Sequence, residues 1–324
     1  MTIFASYFDG CEPEDRRFGI RIIREGGKYS VYARGRRYVK RHLSEFDIVV
    51  DEINTVPFRI HRIAKGKPVV AVIHQLAREI WFYETRFPIN VLGYFALEPL
   101  WLRGYRQVPT VTVSSSTRDD LLGRGFRHVR VVHNGVGIAP LEKPGPKEPN
   151  PVLIFVGRPV RSKLPDHAVA AFRQVRASHA DTELWILGDG YLRDKLERNV
   201  LDGVRFFGRV DDEEKFDLLR RAHVLLAPSI REGWGISVVE ANAMGTPAVG
   251  YDVPGLRDSI VHGRTGLLVK PMSPCALADA AMQILRHPAM ADGFSRNALD
   301  WSKEFSWDNS ARKFQEILEM ASDR

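Results

Sequence analysis

Two glutamates, Glu232 and Glu240, stand eight residues apart in the stretch REGWGISVVEANAMGTPAV (residues 231–249), with glycines, a tryptophan and a short apolar run between them. Paired carboxylates suggest general acid–base chemistry, as in glycoside hydrolysis, where they must flank one bond at a set separation. The local sequence points elsewhere. Gly233, Trp234 and Gly235 cannot all be comfortably helical, so a helix beginning near Gly235 or Ile236 leaves Glu232 in the loop and Glu240 about one turn inside. The free amides and positive dipole end of that helix, at Gly235, Ile236 and Ser237, make an anion site. The two acids are therefore expected to reach different parts of one ligand that has its phosphates between them. The plainer reading is two surface glutamates, since an acid in the first turns of a helix is favourable anyway.

Three other places carry chemistry. In VGRPVRSK, Gly157 and Arg158 follow the apolar run VLIFV, and Lys163 comes five residues after the arginine. A guanidinium fork and a mobile ammonium at a strand end suit a diphosphate, although a surface pair is common in a basic protein. In LGDG, Gly188, Asp189 and Gly190 also end a strand, where glycines admit a phosphate close to the backbone or simply make a tight turn. His74 ends PVVAVIH, and a lone histidine there is more often structural than catalytic. LAREIWFYE beside it (residues 76–84) either lines an acceptor site or packs as an aromatic helix.

The elements that must hold these residues alternate along the chain. FDIVVDEI, PVVAVIH and TVTVSS read as buried strands, SSTRDDLLGRGF as a capped helix ending at a glycine, and VRVVHNG as a strand with its turn at Asn134-Gly135. GIAPLEKPGPKEPN (residues 137–150) holds four prolines and reads as a linker. Alternation then restarts: strands at PVLIFVG, TELWILGDG, VRFFGRV, HVLLAPS and TPAVGYD are separated by helices that include LRDKLERN and DEEKFDLLRRA, and helices finish the chain. Such alternation implies parallel sheets with helices on both faces and ligands at the carboxyl ends of the strands.

A chain of 324 residues, 44% hydrophobic and 27% charged, is a soluble two-domain protein by composition. Its most apolar stretch, residues 91–102, is too short to span a bilayer. The start shows no basic region followed by an apolar one, so no secretory leader is expected. Cys11 and Cys275 lie far apart, which suits a reducing compartment. The net charge of +7 is partly gathered at Arg34, Arg36, Arg37, Lys40 and Arg41. A solvated helix face is the first reading. Peripheral contact with an anionic membrane ranks second, and nucleic acid is not expected because no nucleic-acid motif accompanies the cluster. Asp119-Asp120 and Asp211-Asp212 read as helix caps rather than metal ligands.

Taken together, REGWGISVVEANAMGTPAVGYDVPGLRDSI, VGRPVRSK, LGDGYLRDKL, VRFFGRV, HGRTGLLV and SSSTRDDLLGRGFRHVRVVHNG resemble, in order, the segments of the retaining glycosyltransferases of family 4. The resemblance covers nearly the whole chain. It implies an α/β fold of GT-B architecture, two Rossmann-like doubly wound domains facing a cleft. These would be an acceptor-side domain over 1–138, a linker over 139–150, a donor domain over 151–302 and a C-terminal helix over 303–324 placed to pack back on the first domain. It implies metal-independent transfer, with retention, of a sugar from a UDP- or GDP-sugar to a glycan or lipid-linked acceptor, in cell-envelope polysaccharide synthesis. The site would be cytoplasmic, with peripheral contact at the inner membrane face as a variant.

By the same resemblance Gly157, Arg158, Lys163 and the amides of Gly235, Ile236 and Ser237 would hold the diphosphate, with Gly188, Asp189 and Gly190 as further candidates. Glu240 would bind the ribose, and Gly208, Arg209 and Val210 would lie beside the base. Glu232 and His74 would face the donor sugar as catalytic residues. The sequence departs from the family at its start, where TIFASYFDG looks like the second strand, so the usual first strand and glycine loop are expected to be missing. Gly26-Gly27 read as a hairpin turn and do not replace that loop. Pro159 and Leu164 stand where the family often has glycine. Two alternatives follow: a nucleotide-sugar-binding subunit that needs a partner chain, and a nucleotide-sugar 2-epimerase.

Overall fold

The structure is a computed structural model and describes residues 1–198 and 202–322. Asn199, the last residue of the expected helix LRDKLERN, and Asp323 and Arg324, the last two of the expected C-terminal helix, lie outside the described residues.

The chain opens with a three-stranded sheet of β1 (Thr2–Ala5), β2 (Glu14–Arg17) and β3 (Ile20–Arg24) in the order β1-β3-β2. β2 reads EDRR and has no apolar alternation, so sequence pattern missed it; its Glu14 pairs with Arg21 across the ladder at 2.7 Å. The hairpin turns at Phe18-Gly19, both at positive φ, and not at Gly26-Gly27. Those glycines instead connect β3 to helix α1 (Val31–Arg41), a correction to the sequence reading.

On α1, Val31, Gly35 and Val39 face inward, while Arg34, Arg36, Arg37, Lys40 and Arg41 are exposed, as a solvated face requires. A Cβ on Gly35 would stand 2.6 Å from the Phe58 ring and 3.2 Å from Phe4. The bare glycine therefore lets α1 lie close on the small sheet and the next one at once.

That second sheet is fully parallel, in the order β4 (Val49–Glu52), β5 (Val69–Val72), β6 (Thr110–Thr112), β7 (Val129–Val131). Between β5 and β6 run α2 (Ile80–Glu84), α3 (Ile89–Leu92), a π-turn at Gly93–Leu97 and α4 (Glu98–Arg103). Between β6 and β7 lies α5 (Ser115–Leu122), capped by Ser114, whose hydroxyl accepts from Thr117 N–H. Among the described residues, β1 and β4 each keep one edge with no strand on it.

The second domain alternates strictly: β8 (Val152–Val156), α6 (Pro165–Ser178), β9 (Glu183–Leu187), α7 (Arg193–Arg198), β10 (Val204–Gly208), α8 (Asp212–Arg221), β11 (Val224–Ala227), α9 (Ile236–Ala243), β12 (Ala248–Tyr251), α10 (Leu256–Ser259) and β13 (Gly266–Val269). All six strands are parallel, in the order β10-β9-β8-β11-β12-β13. This is the doubly wound order, and its direction reverses between β8 and β11, where such sheets bind ligands. Almost every residue of β8, β9, β11 and β12 is buried, which is why these strands read as continuous apolar runs. β13 was missed, since the sequence reading placed only helices after β12; it is a four-residue edge strand inside a glycine-containing turn region.

Helices α11 (Pro274–Arg286), α12 (Pro288–Ser302) and α13 (Trp307–Ser322) close the chain. α13 sets Ile317 and Ala321 against Val70, Val111 and Val132 of the first domain. The proline-rich connection is laid on the second domain: Leu141 N–H bonds Ala243 O at 3.0 Å, and the Lys147 ammonium reaches Arg220 O, Gly245 O and Thr246 Oγ1. Asp211 caps α8 through Glu214 N–H, but Asp119-Asp120 sit inside α5 and cap nothing, contrary to expectation. Among the described residues no helix is long and apolar enough to cross a membrane.

One half-buried histidine makes the six-stranded sheet of the second domain pH-sensitive. His223 Nδ1 accepts the Val152 N–H at 3.0 Å, and His223 N–H returns a bond to Val152 O at 2.9 Å. Burial, aided by the nearby Lys147 charge, pushes its pKa down to about 4. The unfolded chain therefore takes up this proton first. Stability from this site is complete above about pH 6.5 and is lost as pH falls towards 4, by up to about 3 kcal/mol. In His223→Asn an amide oxygen replaces Nδ1 as acceptor without titrating. Its melting temperature should fall less than the wild type's between pH 7 and 4.5; equal falls would refute the assignment.

Candidate functional site

The carboxyl ends of β8, β9, β10 and β11 meet at the switch point. Gly157 N–H bonds Leu187 O at 3.0 Å and Gly188 N–H bonds Gly208 O at 2.6 Å, so three strand ends are knitted by their glycines. A Cβ on Gly188 would lie 2.2 Å from Gly157 O, and one on Gly190 2.7 Å from Pro159 O. LGDG is thus pressed against the loop that carries Arg158, which accounts for its glycines by close backbone packing. Asp189 turns back onto Gly190 N–H. Arg158 is exposed beside this loop, and Arg209 and Val210 lead away from β10, exposed and half-buried respectively.

The loops after β8 and β11 are joined. Ile230 N–H bonds Ser162 O at 3.1 Å, and the Lys163 ammonium forms an ion pair with Glu232, which also accepts from Ser229 Oγ at 2.6 Å. Lys163 and Glu232 were expected to hold different parts of a ligand; in the structure they hold each other. The helix after the loop begins as expected. Gly235, at φ 83°, is the N-cap of α9, and a Cβ there would meet Ser259 Oγ at 2.8 Å. Val238 N–H is bonded to Gly235 O, while the amides of Ile236 and Ser237 ahead of it have no partner among the described residues. Two free amides at a helix N-terminus, with Lys163 and Arg158 on the neighbouring loop, suit an anion.

Glu240, inside α9, is 13% exposed at its side chain and accepts from the Lys215 ammonium at 2.8 Å. Lys215 also holds Asp212 at 2.9 Å. Burial raises the Glu240 carboxyl above its ordinary range, against the pull of Lys215. Burial works against the Lys215 charge too, but its two carboxylates raise its pKa. Sequence reasoning missed Lys215, which looks like one more surface residue in DEEKFDLL.

From the first domain, His74 stands at the end of β5 with Nε2 3.5 Å from Glu52 at the end of β4, another residue the sequence did not single out. The hydrogen bond from His74 lowers the Glu52 carboxyl. A Cβ on Gly233 would lie 2.7 Å from His74 O, so the loop of Glu232 rests directly on the strand end that bears His74.

Charged links between the domains surround this contact. Arg231 is 6% exposed at its side chain and binds Glu79 at 2.8 Å and Asp120 at 2.7 Å, both from the first domain. Glu84 accepts from Ser162 N–H at 2.8 Å and from Tyr191 OH at 2.7 Å. Burial opposes the charge of Glu84, but these bonds and the Arg158 field keep its carboxyl low. Asp258 accepts from Ser116 N–H at 3.0 Å. Trp234 is 3% exposed and stacks on His133 at 4.3 Å. Residues 79–84 therefore bridge the two domains. No sequence signal exposed the partners of Arg231, which lie 152 and 111 residues away.

Comparison with known proteins places the chain among sugar-transferring families. Residues 140–301 match the family model "Glycosyl transferases group 1", and residues 1–139 match "Glycosyltransferase Family 4". A glycogen synthase of Mycobacterium tuberculosis is 33% identical over 212 residues, which is 62% of this chain and 51% of that protein. The chain thus spans about half the length of that relative. Sucrose-phosphate synthase from Thermosynechococcus elongatus superposes with a TM-score of 0.79 at 19% identity, over 98% of this chain and 88% of that one. Anabaena HepE, solved with UDP and glucose, gives 0.71 at 17% identity, over 93% and 86%.

Proposed function

The chain belongs to the group 1 glycosyl transferases and has their two-domain GT-B fold, and on that premise we propose that it moves a sugar, with retention, from a UDP- or GDP-sugar to a glycan or lipid-linked acceptor. The observation that carries the reading is the switch point itself. There Lys163 pairs with Glu232 just ahead of the unpartnered amides of Ile236 and Ser237, and Arg158 stands exposed on the same loop as Lys163. In this reading the diphosphate draws Lys163 away from Glu232, and the freed Glu232 carboxylate binds the donor sugar's hydroxyls. Glu240 holds the ribose, with Lys215 fixing its carboxylate. His74 faces the sugar from across the cleft, positioned by Glu52. The two cations and the α9 amides stabilise the leaving diphosphate, a task that needs no metal in this arrangement. The base would lie by Gly208, Arg209 and Val210. The solved complex of HepE with UDP and glucose supports the donor class; nothing in the comparisons supports an epimerase.

The test is a panel of UDP-, GDP- and ADP-sugars scored by thermal stabilisation and nucleotide release, with and without EDTA. A donor at 100 times its Kd should stabilise the chain by about 2.7 kcal/mol, several degrees, and EDTA should leave turnover unchanged. If no member of the panel stabilises the chain or is turned over, the proposal fails. A second reading, a donor-binding subunit that acts with a partner chain, is favoured by the open edges of β1 and β4. It predicts donor stabilisation without turnover by the chain alone.

A further inference from the structure

Glu84 is the last residue of α2, and there it breaks a local rule. The end of a helix presents unsatisfied carbonyl oxygens, so an acid is disfavoured at that place. No basic residue in the last turn of α2 offsets it. A residue of this kind is held by something outside its own helix, and such breaks gather at functional sites.

The compensation comes from the second domain. One Glu84 oxygen accepts the Ser162 N–H at 2.8 Å, and the other accepts the Tyr191 hydroxyl at 2.7 Å. That hydroxyl in turn accepts the Arg161 N–H at 2.9 Å. Glu84 thus holds two successive amides of the turn Arg161–Lys163, one directly and one through a phenol. Tyr191 is kept over this turn by its own loop, since Leu192 N–H bonds Pro159 O at 3.0 Å.

The Ser162 peptide is fastened on both sides. Its N–H goes to the first domain, and its carbonyl accepts Ile230 N–H at 3.1 Å, at the head of the loop that bears Glu232. Ser162 is only 9% exposed, so an amide deprived of Glu84 is left short of a partner unless the turn moves. The turn has cause to move. Leu164, beside Lys163, stands at φ 47°, in the left-handed region. A leucine persists in that strained conformation only where its surroundings hold it. Lys163 therefore sits on a strained turn whose restraint is supplied in part by the other domain.

We infer that Glu84 is a positioning residue for transfer: from the helix α2 of the first domain it sets the turn that carries the Lys163 ammonium, so that this cation is in place only when the two domains are seated on each other. The inference rests on the proposed role of Lys163 at the diphosphate.

Glu84→Ala, Glu84→Gln and Tyr191→Phe test it, with the panel donor that the wild type turns over. The glutamine keeps an oxygen for Ser162 N–H and loses the charge. Glu84→Ala should lower kcat by at least about tenfold, as expected of a displaced reacting group. The donor KM should change by less than about threefold, because the leaving diphosphate gains its charge only in the transition state. Glu84→Gln should restore kcat to within about threefold of the wild type, and Tyr191→Phe should cost roughly three- to tenfold, one hydrogen bond's worth. Hydrogen exchange over residues 159–165 should quicken in Glu84→Ala and not in Glu84→Gln. A Glu84→Ala protein with wild-type kcat overturns the inference. So does a Glu84→Gln protein as slow as the alanine variant, since the cause would then be the charge near Arg158 and not the placement of the turn. If the wild type turns over no donor, the transferase reading has failed, and unchanged exchange in Glu84→Ala would separately refute the hold of Glu84 on the turn.

Discussion

Glu240→Ala is expected to weaken binding of the bare nucleotide roughly 10- to 100-fold, the loss of charge-assisted hydrogen bonds worth about 1.5–3 kcal/mol. The change also strands the Lys215 ammonium in a half-buried site with only Asp212 beside it, so part of the cost is that cation's lost partner. Glu232→Ala should behave differently. Glu232 neutralises Lys163, and its removal frees that ammonium for phosphate. Affinity for the bare nucleotide should stay level or rise, while turnover falls by roughly 10²–10³-fold, the scale of losing one group that acts at the reacting centre. Calorimetric titration of UDP and GDP against both variants, with donor turnover in parallel, separates the roles. Equal weakening of nucleotide binding by the two changes would show that both carboxylates serve the nucleotide and would end the proposed division of labour. The direction for Glu232 comes from the ion pair, since the order of motifs alone predicts only that binding survives.

The second large effect concerns Arg231. Its guanidinium is almost fully buried between carboxylates that are themselves 46% and 33% exposed at the side chain. The two ends of this clasp are therefore unequal. In Arg231→Met the carboxylates rehydrate, and stability should fall only slightly. In Glu79→Ala/Asp120→Ala a buried cation is left without partners, a situation that costs about 3–5 kcal/mol unless the domains part and let water in. Both variants should raise the radius of gyration in solution scattering. Both should lower turnover by roughly 10²-fold, since misplacing a reacting group by about 1 Å has that effect, while UDP affinity stays within about threefold because the proposed nucleotide site is built from the second domain alone. An unchanged radius of gyration with unchanged turnover would mean that Arg231 does not govern closure.

The expected start of α9 is found because capping is local: Gly235 must take a positive φ, and the apolar run after it can only continue as helix. The alternation that implies parallel sheets is local too, since a strand covered on both faces is apolar at nearly every position. Where local pattern is weak, reading failed. EDRR in β2 and the short β13 hold their places by pairing with a neighbour, and Gly26-Gly27 are a turn signal that the chain uses to enter a helix. The aspartates of α5 looked like caps because a capping residue and an ion-pair residue are the same residue type, and only the positions of Arg118, beside Asp119, and Arg231, beside Asp120, tell them apart.

By itself, then, the sequence determined the parallel α/β architecture and the family and singled out the residues proposed for the donor side, all of which depend on neighbours within a turn or a strand. The tertiary structure decided what those residues do to one another. Lys163 pairs with Glu232 across 69 residues, Lys215 with Glu240 across 25, and Arg231 with two acids of the other domain. A side-chain charge carries no mark of its partner in the primary sequence. Its partner is whichever opposite charge the packed strands and helices bring within about 4 Å, where desolvation makes the pairing strong.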